Sequence, residues 1–98
     1  MLVNKAIKSG DVVSMKLTTG EEVLARFKED NDTDVIVSKP RCVVVGQGIG
    51  LAPYAFTMPE DGSVPVNKTH IITMVVAAEG VTSEYIQHTT GLSVVKTT

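Results

Sequence analysis

From Asp11 onward, apolar and polar residues alternate with a period of two, and turn-forming residues cut that alternation into short lengths. Val13, Met15 and Leu17 alternate with Ser14, Lys16 and Thr18, which turns one face of a strand inward. Thr19-Gly20 then reverses the chain, glycine taking positive φ without a steric penalty. The next stretch, EEVLARFK, carries Val23, Ala25 and Phe27 on one face and Glu22, Leu24, Arg26 and Lys28 on the other. The small Ala25 leaves room for a sharp bend. A period of two is that of a strand.

After a polar break, DVIVSKPRCVVV reads as a long strand interrupted at Pro40. Proline lacks the N–H a ladder needs, so the strand is bent, bulged or at an edge there. GQGIG marks another reversal, LAPYAFTM resumes strand character across Pro53, and PEDGS is a turn. The last run, VPVNKTHIITMVVAA, places His70, Ile72, Met74 and Val76 on one face and Ile71, Thr73 and Val75 on the other. Both faces are largely apolar, so one is expected to meet the core and the other another subunit. Expected strands cover about 12–18, 21–29, 34–45, 50–58 and 66–78. In VTSEYIQHTTG, Ser83 reads as an N-cap, Glu84 as a first-turn acid and Gly91 as a stop, giving a short helix over about 83–90. Tyr85 and Ile86 would seat it. GLSVVKTT adds a terminal strand or frays, and LVNKAIKSG has room for one helical turn.

These elements make one domain over 1–98, mainly β: a small five-stranded, strongly bent antiparallel open barrel with a short C-terminal helix. A small open β-sandwich is the alternative; Pro40, Pro53 and Ala25 favour the barrel. With 98 residues the core is thin, and with two Tyr, two Phe and no Trp it rests on valine. A chain this small often gains stability by association.

The formal charge of −2 argues against strong nonspecific attraction to phosphate. The single cysteine, Cys42, allows no intrachain disulfide and reads as a buried small hydrophobe. The start lacks a signal-peptide pattern and no apolar run suits a spanning helix, so a cytoplasmic protein is expected.

No catalytic, metal or cofactor signature emerges. Asp30, Asp32 and Asp34 open like an EF-hand loop, but Val35 and Arg41 stand where that loop needs Gly and Glu. Gly46, Gly48 and Gly50 fail the dinucleotide fingerprint, with Leu51 at the position of its third glycine and Pro53 soon after. His70 and His88 lack metal-ligand spacing, and no serine sits in a nucleophile elbow. Tyr54 and Phe56, two apart, are expected on one strand face, in core or interface packing or stacked on bases.

Leu17-Thr18-Thr19-Gly20-Glu21-Glu22-Val23 resembles the start of the first Sm motif, L-x-x-G-x-x-V. Ala25 and Phe27 match the small and bulky positions that follow, and Val35-Ile36-Val37 is similar to the family's third strand. The chain also resembles, more loosely, the small divergent Sm-like proteins of marine phages. The resemblance implies a non-catalytic homo-oligomeric ring of roughly five to seven subunits that binds single-stranded RNA in processing or regulation. In the family, the fourth strand pairs with a neighbour's last strand, here around Tyr54 and Ile72. Asp34 stands near the family's RNA-contacting Asn, and Asn67-Lys68 and His70 occupy the region of its second motif. Under this reading Lys39, Arg41, Asn67 and Lys68 contact phosphate and bases, and Tyr54 or His70 stack. A ring multiplies each cation by its subunit number. The competing expectation is a structural or protein-interaction ring, such as a phage accessory protein, without RNA binding.

Overall fold

The computed structural model describes residues 2–3, 7–59 and 61–90. Its elements are β1 (Leu2–Val3), β2 (Val12–Leu17), β3 (Glu22–Asp30), β4 (Asp34–Val45), β5 (Ile49–Pro53), β6 (Ser63–Asn67), a 3₁₀ turn (Lys68–His70), β7 (Ile71–Val76) and α1 (Glu79–Thr90). Strands β2 to β7 pair antiparallel in an open sheet, with β1 added in parallel to the far edge of β7. This mainly β fold with one short C-terminal helix is compatible with a bent Sm-like barrel. Gly20, at φ 100°, makes the β2–β3 turn that the sequence demands.

The long β4 organises the sheet. Its second half pairs with β5, from Arg41 opposite Pro53 to Val45 opposite Ile49. Its first half pairs with β6, from Asp34 opposite Asn67 to Ser38 opposite Ser63. Thus β5 and β6 lie end to end along one partner, and residues 54–59 and 61–62 lie outside the sheet between them. That departure coincides with Lys39-Pro40. Between Leu24–Arg41 and Arg26–Ser38 the register gains one residue on β4, and Lys39 has φ 51°. The bulge therefore falls where Pro40 has no N–H to give, and Ala25, fully buried, faces it. One inserted residue reverses the facing of all that follows. Val35 and Val37 point inward before the bulge, whereas Cys42 does so after it.

Two expected strands differ from those observed. The fourth stops at Pro53, because Tyr54 and Met58 turn back to pack against the inner core and the Met58 N–H donates to the Ala55 carbonyl at 3.4 Å. Tyr54 and Phe56 consequently do not share a strand face; Phe56 is 91% exposed. The fifth divides at Lys68–His70 into β6 and β7. Asn67 causes the break, its Oδ1 accepting from the Thr69 N–H at 2.9 Å as an N-cap. Since β6 pairs with β4 and β7 with β2, this three-residue turn spans roughly 10 Å at most. The two sides of the sheet must therefore curl towards each other. A further extra residue, Ile72, sits in β7 where the β2 register slips. Ile71 and Met74 face inward, and Ile72 faces out, contrary to strict alternation.

The curl encloses the inner core of Val13, Met15, Leu17, Val23, Ala25, Phe27, Val35, Val37, Val64, Val66, Ile71 and Met74. The outer face carries a second, smaller cluster beneath α1: Val12, Leu24, Ala77 and Tyr85. The helix starts before Ser83 because Glu79 supplies the first-turn acid, and Ser83 Oγ donates back to the Glu79 carbonyl at 3.3 Å. The expected Gly91 stop, the expected strand in GLSVVKTT and part of the expected N-terminal helical turn lie outside the described residues; Leu2–Val3 pair as strand.

One side chain fastens α1. Tyr85 is its only buried residue, and its hydroxyl donates to the Lys39 carbonyl at 2.6 Å and lies 3.3 Å from that of Ser38. An isolated helix of this length is marginal in water, so the anchor decides whether it docks. Burial pushes the Tyr85 phenol up to about 12, opposed by the Arg41 and Arg26 charges. Tyr85→Phe should cost about 1–2 kcal/mol, read from urea unfolding at pH 7, because the bulge carbonyls lose their donor. An unfolded tyrosine ionises near pH 10, so this proton's contribution is complete below that pH and lost as pH rises through about 12. Wild-type stability should fall over that window by roughly 2–3 kcal/mol more than that of Tyr85→Phe.

Candidate ligand rim and assembly edges

Three turns meet where the curled sheet approaches itself, although two of them stand at opposite ends of β3. The β3–β4 loop is closed by Asn31, whose N–H donates to the Asp34 carbonyl at 2.9 Å and whose Nδ2 donates to Asp34 Oδ1 at 3.0 Å. The Lys68–His70 turn is bound to that loop twice. The Lys68 N–H donates to the Thr33 carbonyl at 2.9 Å, and Lys68 Nζ pairs with Asp30 at 2.6 Å. The β2–β3 turn joins through the Thr18 N–H, which donates to the His70 carbonyl at 2.8 Å. Asn67 and His70 are exposed on this rim, and Lys68 is half-buried. Asn67 Oδ1 accepts from both Thr69 N–H and Thr69 Oγ1, which orients its amide.

The six sequence-derived candidates fall into two groups. Asn67, Lys68 and His70 share the rim. Lys39, Arg41 and Tyr54 sit at the bulge, and Lys39 is five residues along β4 from the Asp34–Asn67 pair, about 17 Å at strand spacing. Lys39 is half-buried, with its carbonyl held by Tyr85. Arg41 is 4% exposed, its guanidinium donating to the Pro40 carbonyl and to Asp61, each at 3.2 Å. It ties Asp61 to β4. Tyr54 is half-buried against Pro40, Pro53 and Met58. Burial, then the Glu21 charge and then Cys42, raises its phenol above the ordinary value.

The rim's charge runs against phosphate. Asp30, Asp32 and Asp34 lie in or beside the β3–β4 loop to which the Lys68 backbone is bonded, and Asp30 already engages the ammonium. Nearby chemistry is subdued as well: burial first and Glu21 second raise the Cys42 thiol, away from the reactive thiolate. Among the described residues, no group of three or more His, Cys, Asp or Glu could hold a metal ion. Among them too, no helix is long and apolar enough to cross a membrane.

The fourth strand and the last, the two expected to join subunits, lie at or next to the margins of the sheet. Strand β5 pairs with β4 on one side only among the described residues, and β7 is covered on its outer edge only where Thr73 and Met74 meet Leu2 and Val3. Neither Ile49–Pro53 (IGLAP) nor Ile71–Val76 (IITMVV) contains a charged residue, although open edges are commonly protected by charge. Ile49 is 70% exposed, and Ile72, Val75 and Val76 are exposed beside the other edge. The absence of charge is readable in the sequence; that the fourth strand ends at Pro53, short of Tyr54, and borders a groove under α1 is not. A groove of about 460 Å³ adjoins β5, between Leu24, Ile49 and Leu51 on the sheet and Gly80, Val81 and Glu84 on α1.

No protein-family model matches the chain, and no curated protein matches it.

The rim separates structural from dispensable contacts. Asn67→Ala should lower unfolding stability by about 1 kcal/mol, since the turn loses its cap. Lys68→Gln should change it by less than about 1 kcal/mol, because the Asp30 pair is partly solvated. Parallel urea titrations of the two variants measure both.

Proposed function

We propose that the chain is the subunit of a non-catalytic, homo-oligomeric Sm-like ring whose rim binds single-stranded RNA. The observation that carries this reading is the joining of the Lys68–His70 turn to the β3–β4 loop, which brings Asn67, Lys68 and His70 together where the curled sheet approaches itself. The two uncharged edges support the assembly. Strand addition of β5 to a neighbour's β7 satisfies backbone groups on both, and a rotation that closes makes a ring. The two-residue parallel pairing of β1 yields to the longer antiparallel ladder.

The rim supports hydrogen bonding and stacking better than charge attraction. Asn67 has an amide to donate, His70 offers an exposed ring, and Lys68 is a cation already paired with Asp30. Binding therefore depends on bases rather than on counterion release, and differs from the steep salt dependence of basic nucleic-acid grooves.

A second reading, a ring that binds protein and not RNA, is favoured by the carboxylates in and beside the β3–β4 loop. Repeated around a ring, Asp30, Asp32 and Asp34 present a strongly acidic circle that suits a basic polypeptide.

Light scattering should give roughly five to seven subunits, the range expected for closure by identical strand pairing. Fluorescent oligo(U) or oligo(A) should bind with an affinity that is flat or rises between 50 and 200 mM salt, a window across which basic grooves lose several decades. Asn67→Ala and His70→Ala should each weaken binding about tenfold, the loss of one hydrogen bond or one stack. An assembled protein that binds neither oligonucleotide at any salt would leave the protein-binding ring.

A further inference from the structure

We propose that the groove between α1 and β5 is a binding site for a small amphiphilic amine, with Glu84 taking the ammonium and the sheet's outer face taking the apolar body. At about 460 Å³ the groove falls within the roughly 300–1,000 Å³ of small-ligand sites. Leu24 floors it, Ile49 and Leu51 form one wall, and a flank of α1 forms the other. That flank is a single stripe, because Gly80, Glu84 and His88 recur at every fourth residue. Leu24 and Leu51 also belong to the outer cluster beneath the helix, so the floor continues an apolar core. Every lining residue comes from one chain, and the site does not depend on the ring.

Charge selects the class of ligand. Among the described residues, Glu84 is the groove's acid, no Lys or Arg lines it, and Glu84 joins no ion pair. A neutral apolar ligand would strip water from that carboxylate without replacing its hydrogen bonds. A fatty acid would set a second negative charge beside it. A primary amine meets both demands, since its ammonium donates three hydrogen bonds and its body covers apolar surface. His88, one turn beyond Glu84, adds a ring nitrogen that can accept from the same head. Towards the other end of the helix, Gly80 and Val81 carry no polar side-chain atom, so the body lies on that side. Gly80 keeps that end open: a Cβ added there meets nothing within 4 Å.

A chain-length series tests the site on the full-length protein. Butylamine, hexylamine and octylamine, followed by NMR chemical shifts of the isotope-labelled chain, should move Leu51 and Val81 most. Affinity should rise about twofold to fourfold per added methylene until the groove is full, the upper figure being that of complete burial. Glu84→Gln should weaken octylamine about tenfold, the worth of one charge-assisted hydrogen bond, and leave octanol within about twofold. Gly80→Leu improves helix propensity and fills the apolar end. That variant should melt no lower than wild type and bind neither octylamine nor octanol. Octanoate binding as tightly as octylamine, or octylamine binding unchanged by Gly80→Leu, overturns the proposal. A wild type unmoved by octylamine at millimolar concentration also overturns it. A subunit number altered by Gly80→Leu in light scattering would then put a second copy in the groove.

Discussion

The hydrogen bond from the Tyr85 hydroxyl to the Lys39 carbonyl joins the two halves of this molecule. On one side is a bulge that breaks a twelve-residue strand without ending it. On the other is a helix with a single buried anchor. The bulge holds Lys39 in a left-handed conformation that costs a non-glycine residue about 1 kcal/mol or more. Such a conformation persists where surrounding contacts determine it, and the tyrosine donor, the Arg41 bond to Pro40 and the fully buried Ala25 opposite all do so. In return, the bulge lets one strand serve two partners and curl around a valine core.

Much of this was legible in the residues, because backbone chemistry is local. Gly20 must turn, Pro40 must break a ladder, and Val13, Met15 and Leu17 must face inward. Expectation and structure part where a distant group settles a local choice. VPVNKTHIITMVV alternates well enough for one strand, but the Asn67 side chain caps a turn and sends its halves to opposite sides of the sheet. Alternation groups Ile72 with Met74, yet the bulge, which leaves no mark in alternation, puts Ile71 with Met74 instead. Ser83 has the chemistry of an N-cap, yet the helix had already started at Glu79. Of the candidate contacts, Asn67, Lys68 and His70 were close in sequence and stayed close in space. Arg41 was a cation in the sequence, but its role depends on Asp61, twenty positions away, which periodicity does not reveal.

The rim and the edges divide the surface into two kinds of chemistry. The rim is polar, self-bonded and acidic, so its geometry is fixed before any ligand arrives. The edges are apolar and uncharged, and their exposed backbone groups are chemically incomplete. Preorganisation at the rim suits recognition by hydrogen bonds, while incompleteness at the edges favours association. Local charge explains why a nearly neutral chain can still present a strongly signed surface.

The end-to-end arrangement of β5 and β6 along β4 also bears on how this fold can vary. Each short strand has its own ladder, so neither depends on the intervening residues 54–62 for its register. Lengthening that segment adds only a slowly growing closure entropy, while Arg41 and Asp61 pin its return. The Phe56 corner is thus a natural point for insertion, where new sequence can be displayed without rewriting the sheet.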